Sequence, residues 1–206
     1  MGALFGSLSA IGIGVSDLFG RRVVAAGGVV TTAVVMQSIA LLTSLATIVF
    51  IASEFRWNDV LLGGLSGVGM GIGLAFYYGG IARSSSTLIS PVVATLAALI
   101  PLSYTAVTDT VPSAAALGGA AVALAGLVLV TAGNASIVGI RSGLLWGLMS
   151  GTSYGIGLTA LIGTSSESGS WPAVSQRLVS FALLLVVAAA MRVPVLPPRG
   201  VRTAGV

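Results

Sequence analysis

Seven apolar runs, at about 3–19, 32–53, 61–82, 88–107, 114–132, 144–163 and 173–191, follow one another along the chain. The breaks between them are short and polar. They are Gly20-Arg21-Arg22, Glu54-Phe55-Arg56-Trp57-Asn58-Asp59, Arg83-Ser84-Ser85-Ser86, Asp109 with Pro112, Asn134 to Arg141, and Ser165-Ser166-Glu167-Ser168. Each run is about 20 residues, the length that carries an α-helix across the hydrocarbon core of a bilayer. Barrel strands are about half as long and alternate strictly between apolar and polar positions. These runs are apolar all round, so the pattern predicts an all-α polytopic membrane helix bundle of about seven transmembrane helices. The first run has no positive residues ahead of it, and Arg21 and Arg22 follow it. A signal peptide has the opposite order, so this run is expected to be a mature transmembrane helix.

Composition supports the same class. Only 7% of the 206 residues are charged, against roughly 25% in a soluble domain, and the mean hydropathy is +1.08. So few charges cannot cover a water-facing surface. The nine basic residues are all arginine, and there is no histidine or cysteine. The usual zinc, haem and iron–sulfur ligand sets are therefore missing, as are cysteine and histidine nucleophile–base pairs. No cofactor and no enzymatic activity are expected. The net charge of +4 does not point to nucleic acid, because the arginines flank apolar runs instead of forming a basic stripe.

Small residues recur every four positions within several runs. The third has Gly63, Gly67, Gly71, Ala75 and Gly79; the first has Gly2, Gly6, Ala10 and Gly14. The sixth has Gly143, Gly147, Gly151 and Gly155, and the fifth has Ala115, Gly119 and Ala123. This spacing places small residues on one helix face. In lipid such faces let backbones approach closely enough for van der Waals contact to hold helices together. Four helices of this kind predict a tight bundle.

The first and sixth runs align without gaps at an offset of 141. Gly2-Ala3-Leu4-Phe5-Gly6 matches Gly143-Leu144-Leu145-Trp146-Gly147, Ser9 matches Ser150, and Gly14 matches Gly155. The second and seventh runs align at an offset of 139, with Met36-Gln37-Ser38-Ile39 against Ser175-Gln176-Arg177-Leu178. A unit of five helices thus restarts at the sixth. An odd number of spans reverses the direction of entry, which makes an inverted repeat, a construction common among secondary transporters.

On these residues the chain resembles the EamA domain of the drug/metabolite transporter superfamily. The best local match is Leu74-Ala75-Phe76-Tyr77-Tyr78-Gly79-Gly80-Ile81-Ala82-Arg83 followed by Ser90-Pro91-Val92-Val93-Ala94-Thr95-Leu96. These segments are similar to the end of the family's third helix and the start of its fourth. Gly119 to Gly126 is similar to its glycine-framed fifth helix, and Ser16-Asp17-Leu18-Phe19 to a subgroup's first-helix ending. Thr108-Asp109-Thr110 stands where the family usually has Gly-Glu. Members carry two units and ten helices. The resemblance therefore implies a complete first repeat at 1–133, a connecting loop at 134–142 and a partial second repeat at 143–206. The sequence is then read as truncated after about seven of ten helices. The function implied is export of small metabolites or drug-like compounds across an inner membrane, with a coupling ion if transport is active. The alternative is a fragment without independent transport.

Polar or charged groups inside a span are candidates for contact with substrate. Asp17 could couple a proton or cation, or pair with Arg21 one turn on. Gln37 could contact substrate or join helices. Arg177 could meet an anionic group or snorkel to the interface. Tyr77 and Tyr78 could line a pocket, although an interfacial aromatic belt is the plainer expectation. Trp146 and Tyr154, two turns apart, are candidates for a cavity wall. Counting loops alternately places Arg21, Arg22, Arg83, Arg141, Arg192, Arg199 and Arg202 on one side, and Arg56 with the nearby Arg177 on the other. The positive-inside rule then puts the N-terminus outside. The family resemblance implies an N-terminus inside, and that orientation is the one expected here.

Overall fold

In the computed structural model, the protein is described at Val24 and over residues 27–83, 88–108, 113–132 and 137–196. All regular structure among these residues is helical: α1 (Val29–Phe50), α2 (Trp57–Arg83), α3 (Ile89–Thr108), α4 (Ala114–Ala132), α5 (Ile137–Ala160) and α6 (Trp171–Ala190). Two single-turn 3-10 segments, Leu161–Gly163 and Ser166–Ser168, link α5 to α6. Among the described residues four helices, α1, α2, α3 and α6, are long and apolar enough to cross a membrane. A helix of 20 residues is about 30 Å long, which matches the hydrocarbon thickness. The first apolar run and its Asp17 lie outside the described residues, as do Ser84 to Ser86 and the tail from Pro197.

Most boundaries fall within a few residues of the apolar runs. The connection expected at 134–142 is shorter, because α5 is already helical from Ile137. Arg141 reads as a loop residue in the sequence, but it sits exposed in the second turn of α5. Nothing in a helix end bars a solvated cation.

Helix directions follow from pairs of touching residues. Thr31 Oγ1 donates to the Pro194 carbonyl at 2.6 Å, and Ser170 N–H donates to Ser53 Oγ at 3.1 Å. The start of α1 therefore meets the end of α6, and the two run antiparallel. Helix α2 runs parallel to α6 and antiparallel to α5, and α3 runs parallel to α5. Helix α2 is central, packed against α5 on one face and α6 on the other.

Glycine makes these seams possible. A methyl group built at Gly63 would stand 2.8 Å from Pro172 Cα, and at Gly67 it would stand 2.9 Å from Val179 Cβ. On the opposite face of α2 a methyl at Gly69 would stand 2.8 Å from Gly157 Cα. The stripe on α5 meets α3: at Gly147 the obstacle is Val92 Cβ at 2.7 Å, and at Gly151 and Gly155 it is Leu96 and Ile100 Cβ, each at 2.8 Å. The small-residue spacing of α4 does not behave this way. Among the described residues nothing lies within 4 Å of a methyl at Gly118, Gly119 or Gly126, and α4 packs on α3 with most of its described side chains exposed. A small-residue face permits close approach without supplying a partner.

The contrast between an apolar inside and a polar outside that marks a water-soluble fold is absent among the described residues. Among the described residues the buried set holds eleven apolar side chains and eleven polar or charged ones. Val49, Phe50 and Val107 are more than 80% exposed. Such a surface suits lipid as its solvent.

Candidate functional site

Two polar clusters stand out, one at an end of the bundle and one within the spans. The end cluster joins the α1–α2 and α5–α6 loops. Asp59 lies in the first turn of α2, where the helix dipole favours a negative charge. It is only 4% exposed. Its carboxylate accepts from Ser165 N–H at 3.2 Å and from the Ser168 hydroxyl. Arg56 bridges Glu54 and Glu167, and Glu54 N–H donates to the Glu167 carbonyl at 2.8 Å. Phe55 lies edge-on between Trp57 and Trp171, at 5.2 and 5.0 Å between ring centroids. Gly169 takes φ +50° and presses against Ser53. A side chain there would be strained and would collide with that serine.

The inner cluster runs along α6. Gln176 is buried and donates from Nε2 to Ser66 Oγ on α2 at 2.6 Å. Ser175 Oγ donates to the Val60 carbonyl at 2.6 Å, and Ser150 Oγ on α5 to the Gly73 carbonyl at 2.8 Å. Side-chain hydrogen bonds between membrane helices contribute about 0.6 kcal/mol each on average. They therefore specify register more than they add stability. The Ser180 hydroxyl, one turn beyond Gln176, is buried without a hydrogen-bond partner among the described residues.

Arg177 points to the other side of α6, toward α1. Its Nη1 donates to Gln37 Oε1 at 3.5 Å, the outer limit of a hydrogen bond. Gln37 itself is buried. Two of the residues singled out in the sequence, Gln37 and Arg177, thus come together from α1 and α6.

The other candidates are placed elsewhere. Tyr77 and Tyr78 are buried in the core with Ala33, Val34, Ile89 and Leu184, and Tyr77 Oη shares a hydrogen bond with Ser90 Oγ at 2.8 Å. They form no interfacial belt, because the close approach of α1, α3 and α6 covers this end of α2. Trp146 packs on Gly79 and Gly80 and carries the Arg83 guanidinium 5.4 Å above its ring. Tyr154 also fills the space opposite Gly73. The sequence reading passed over Asp59, Gln176 and Ser66. A lone acid at a helix start reads as solvated, and only the partners that the fold brings to it change that. For Gln176 a signal existed in its alignment with Gln37.

Comparisons with protein-family models, with curated proteins and with solved structures return no match.

Proposed function

We propose that the chain is a multi-pass secondary transporter of the EamA type in the drug/metabolite transporter superfamily. In this reading it resides in an inner membrane and exports small metabolites or drug-like compounds by alternating access. The reading is carried by the meeting of α1 and α6. These are the second and seventh apolar runs, related by the internal alignment; they run antiparallel and bring Gln37 against Arg177. Inverted repeats of transporters bind substrate near the membrane midplane, where the two units face each other. Rocking of one unit against the other would open the seam to each side in turn. The sequence has no Gly-x-x-x-x-Gly-Lys nucleotide motif, so ATP is not the direct energy source in this reading, and an ion gradient drives the export if it is active.

The test is flux. The purified chain, reconstituted into liposomes under a proton or sodium gradient, should move at least one solute of a broad metabolite panel saturably. That movement should collapse with an ionophore. Flux equal to that of protein-free liposomes across the whole panel would overturn the proposal.

A further inference from the structure

We propose that Arg177 and Gln37 form a binding site for an oxyanion, the carboxylate or phosphate group of a small solute, in the seam between α1 and α6. The inference rests on the transporter reading and names the substrate class of its site.

Depth comes first. Arg177 follows Trp171 by six residues, which places it roughly 9 Å along α6 at 1.5 Å per residue. A guanidinium at that depth in a spanning helix is costly unless it is neutralised or hydrated. The second observation is the absence of an acid beside it. Among the described residues the acids are Glu54, Asp59 and Glu167. Glu54 and Glu167 both bind Arg56, and Asp59 binds Ser165 and Ser168. All three lie at the loop end. Among the described residues Arg177 has as its side-chain acceptor the neutral Gln37 amide oxygen at 3.5 Å, which cannot cancel a full charge.

The other described arginines do not share this situation. Arg56 has two carboxylates, and Arg83 lies over Trp146 with its Nη1 donating to the Gly79 carbonyl at 3.3 Å. Arg141 and Arg192 are exposed near helix ends. Arg177 alone among them combines a place inside a span with a neutral partner. Its planar fork of N–H donors matches a carboxylate or phosphate bidentately. The Gln37 amide adds two N–H donors beside it. The same pair repels a cationic solute.

A lipid headgroup phosphate offers the same chemistry, and Asp17 lies outside the described residues, so the experiment separates these occupants. The full chain is placed in nanodiscs of phosphatidylcholine, or of phosphatidylcholine with phosphatidylglycerol. Saturable binding of radiolabelled succinate, benzoate and inorganic phosphate is then measured. At least one should bind in phosphatidylcholine discs and be displaced by its unlabelled form, while succinamide should not displace succinate. Arg177→Gln should weaken that binding at least about tenfold, as expected for loss of a desolvated charge contact. Arg177→Lys, which keeps the charge and loses the fork, should retain part of it. Unchanged thermal unfolding of Arg177→Gln excludes misfolding as the cause. If anionic lipid instead copurifies with the wild type, is lost in Arg177→Gln and blocks the solutes, the oxyanion is a headgroup and the solute assignment is overturned. Binding of none of the probes, or binding indifferent to Arg177→Gln, overturns the site. Affinity raised by Asp17→Asn shows an internal carboxylate on the guanidinium and overturns an open site. Oxyanion binding without flux leaves this inference standing and counts against transport. Flux of a neutral or cationic solute, independent of Arg177, does the reverse.

Discussion

The two ends of the bundle are built differently. At the end formed by the α1–α2 and α5–α6 loops, the loops are fastened by Asp59, the Arg56–Glu167 bridge, the Ser53–Ser170 hydrogen bond and an aromatic stack. Every described acid is used there. The opposite end holds Arg83, Arg141 and Arg192 without a described acid, and its long-range ties include the hydrogen bond from Thr31 to Pro194 and the stacking of Arg83 over Trp146. Charge thus has two uses in this chain. At one end it joins loops far apart in sequence; at the other it is displayed, as expected of residues that anchor helices to a headgroup layer.

The two ends differ most in consequence through which of them faces the cytoplasm. The chain has no cysteine, so single cysteines report cleanly. Three of the four arginines near the described helix ends lie at the Arg83–Arg192 end, and the positive-inside rule therefore expects that end inside. Under that rule alone Ala52→Cys reacts with a membrane-impermeant maleimide in intact cells, and Val195→Cys only after permeabilisation. The reverse pattern would establish the N-inside orientation that the family resemblance implies.

Next in size is the glycine seam. Gly67→Leu forces α2 away from Gln176 and Val179, and overpacking costs about 1–3 kcal/mol or more. Its unfolding temperature in detergent should fall well below that of Gly119→Leu on open α4. Equal losses at the two positions would contradict the packing described. Asp59→Ala leaves the Ser168 hydroxyl and the Ser165 N–H without their acceptor, so a loss of about 1–3 kcal/mol is expected. Asp59→Asn should recover part of it. The smallest effect belongs to Arg56→Gln. That ion pair is about half exposed, so removing it should cost about 0–1 kcal/mol, fading as salt is raised. A loss matching that of Asp59→Ala would show the exposed bridge, and not the buried carboxylate, to be the stronger fastening.

Much of the fold is readable from residue order because the relevant signals are local. Apolar length marks α1, α2, α3 and α6, and four-residue glycine spacing marks the faces that α2 and α5 bury. What stays hidden depends on residues brought from far away. Asp59 reads as a solvated charge until Ser165 and Ser168, more than one hundred residues on, fold over it. Glycine spacing on α4 reads like that on α2, yet of the two, among the described residues, only the α2 glycines meet a neighbouring helix closely. Tyr77 and Tyr78 have the composition of an interfacial belt and are enclosed because three helices converge on them. Of the candidate site, polarity in mid-helix was enough to single out Gln37 and Arg177. Their meeting depended on the antiparallel crossing of α1 and α6.

Helix α2 also sets how freely its own sequence can drift. On its buried faces, at Gly63, Gly67 and Gly69, even the step from hydrogen to methyl demands that a neighbouring helix move. On its outer face Leu61, Leu65, Val68 and Ile72 are exposed, and lipid accepts any apolar side chain of their kind. One helix thus carries two regimes of substitution a few ångströms apart, nearly frozen on the inside and nearly free on the outside. Homologous chains would be aligned most securely on their smallest residues.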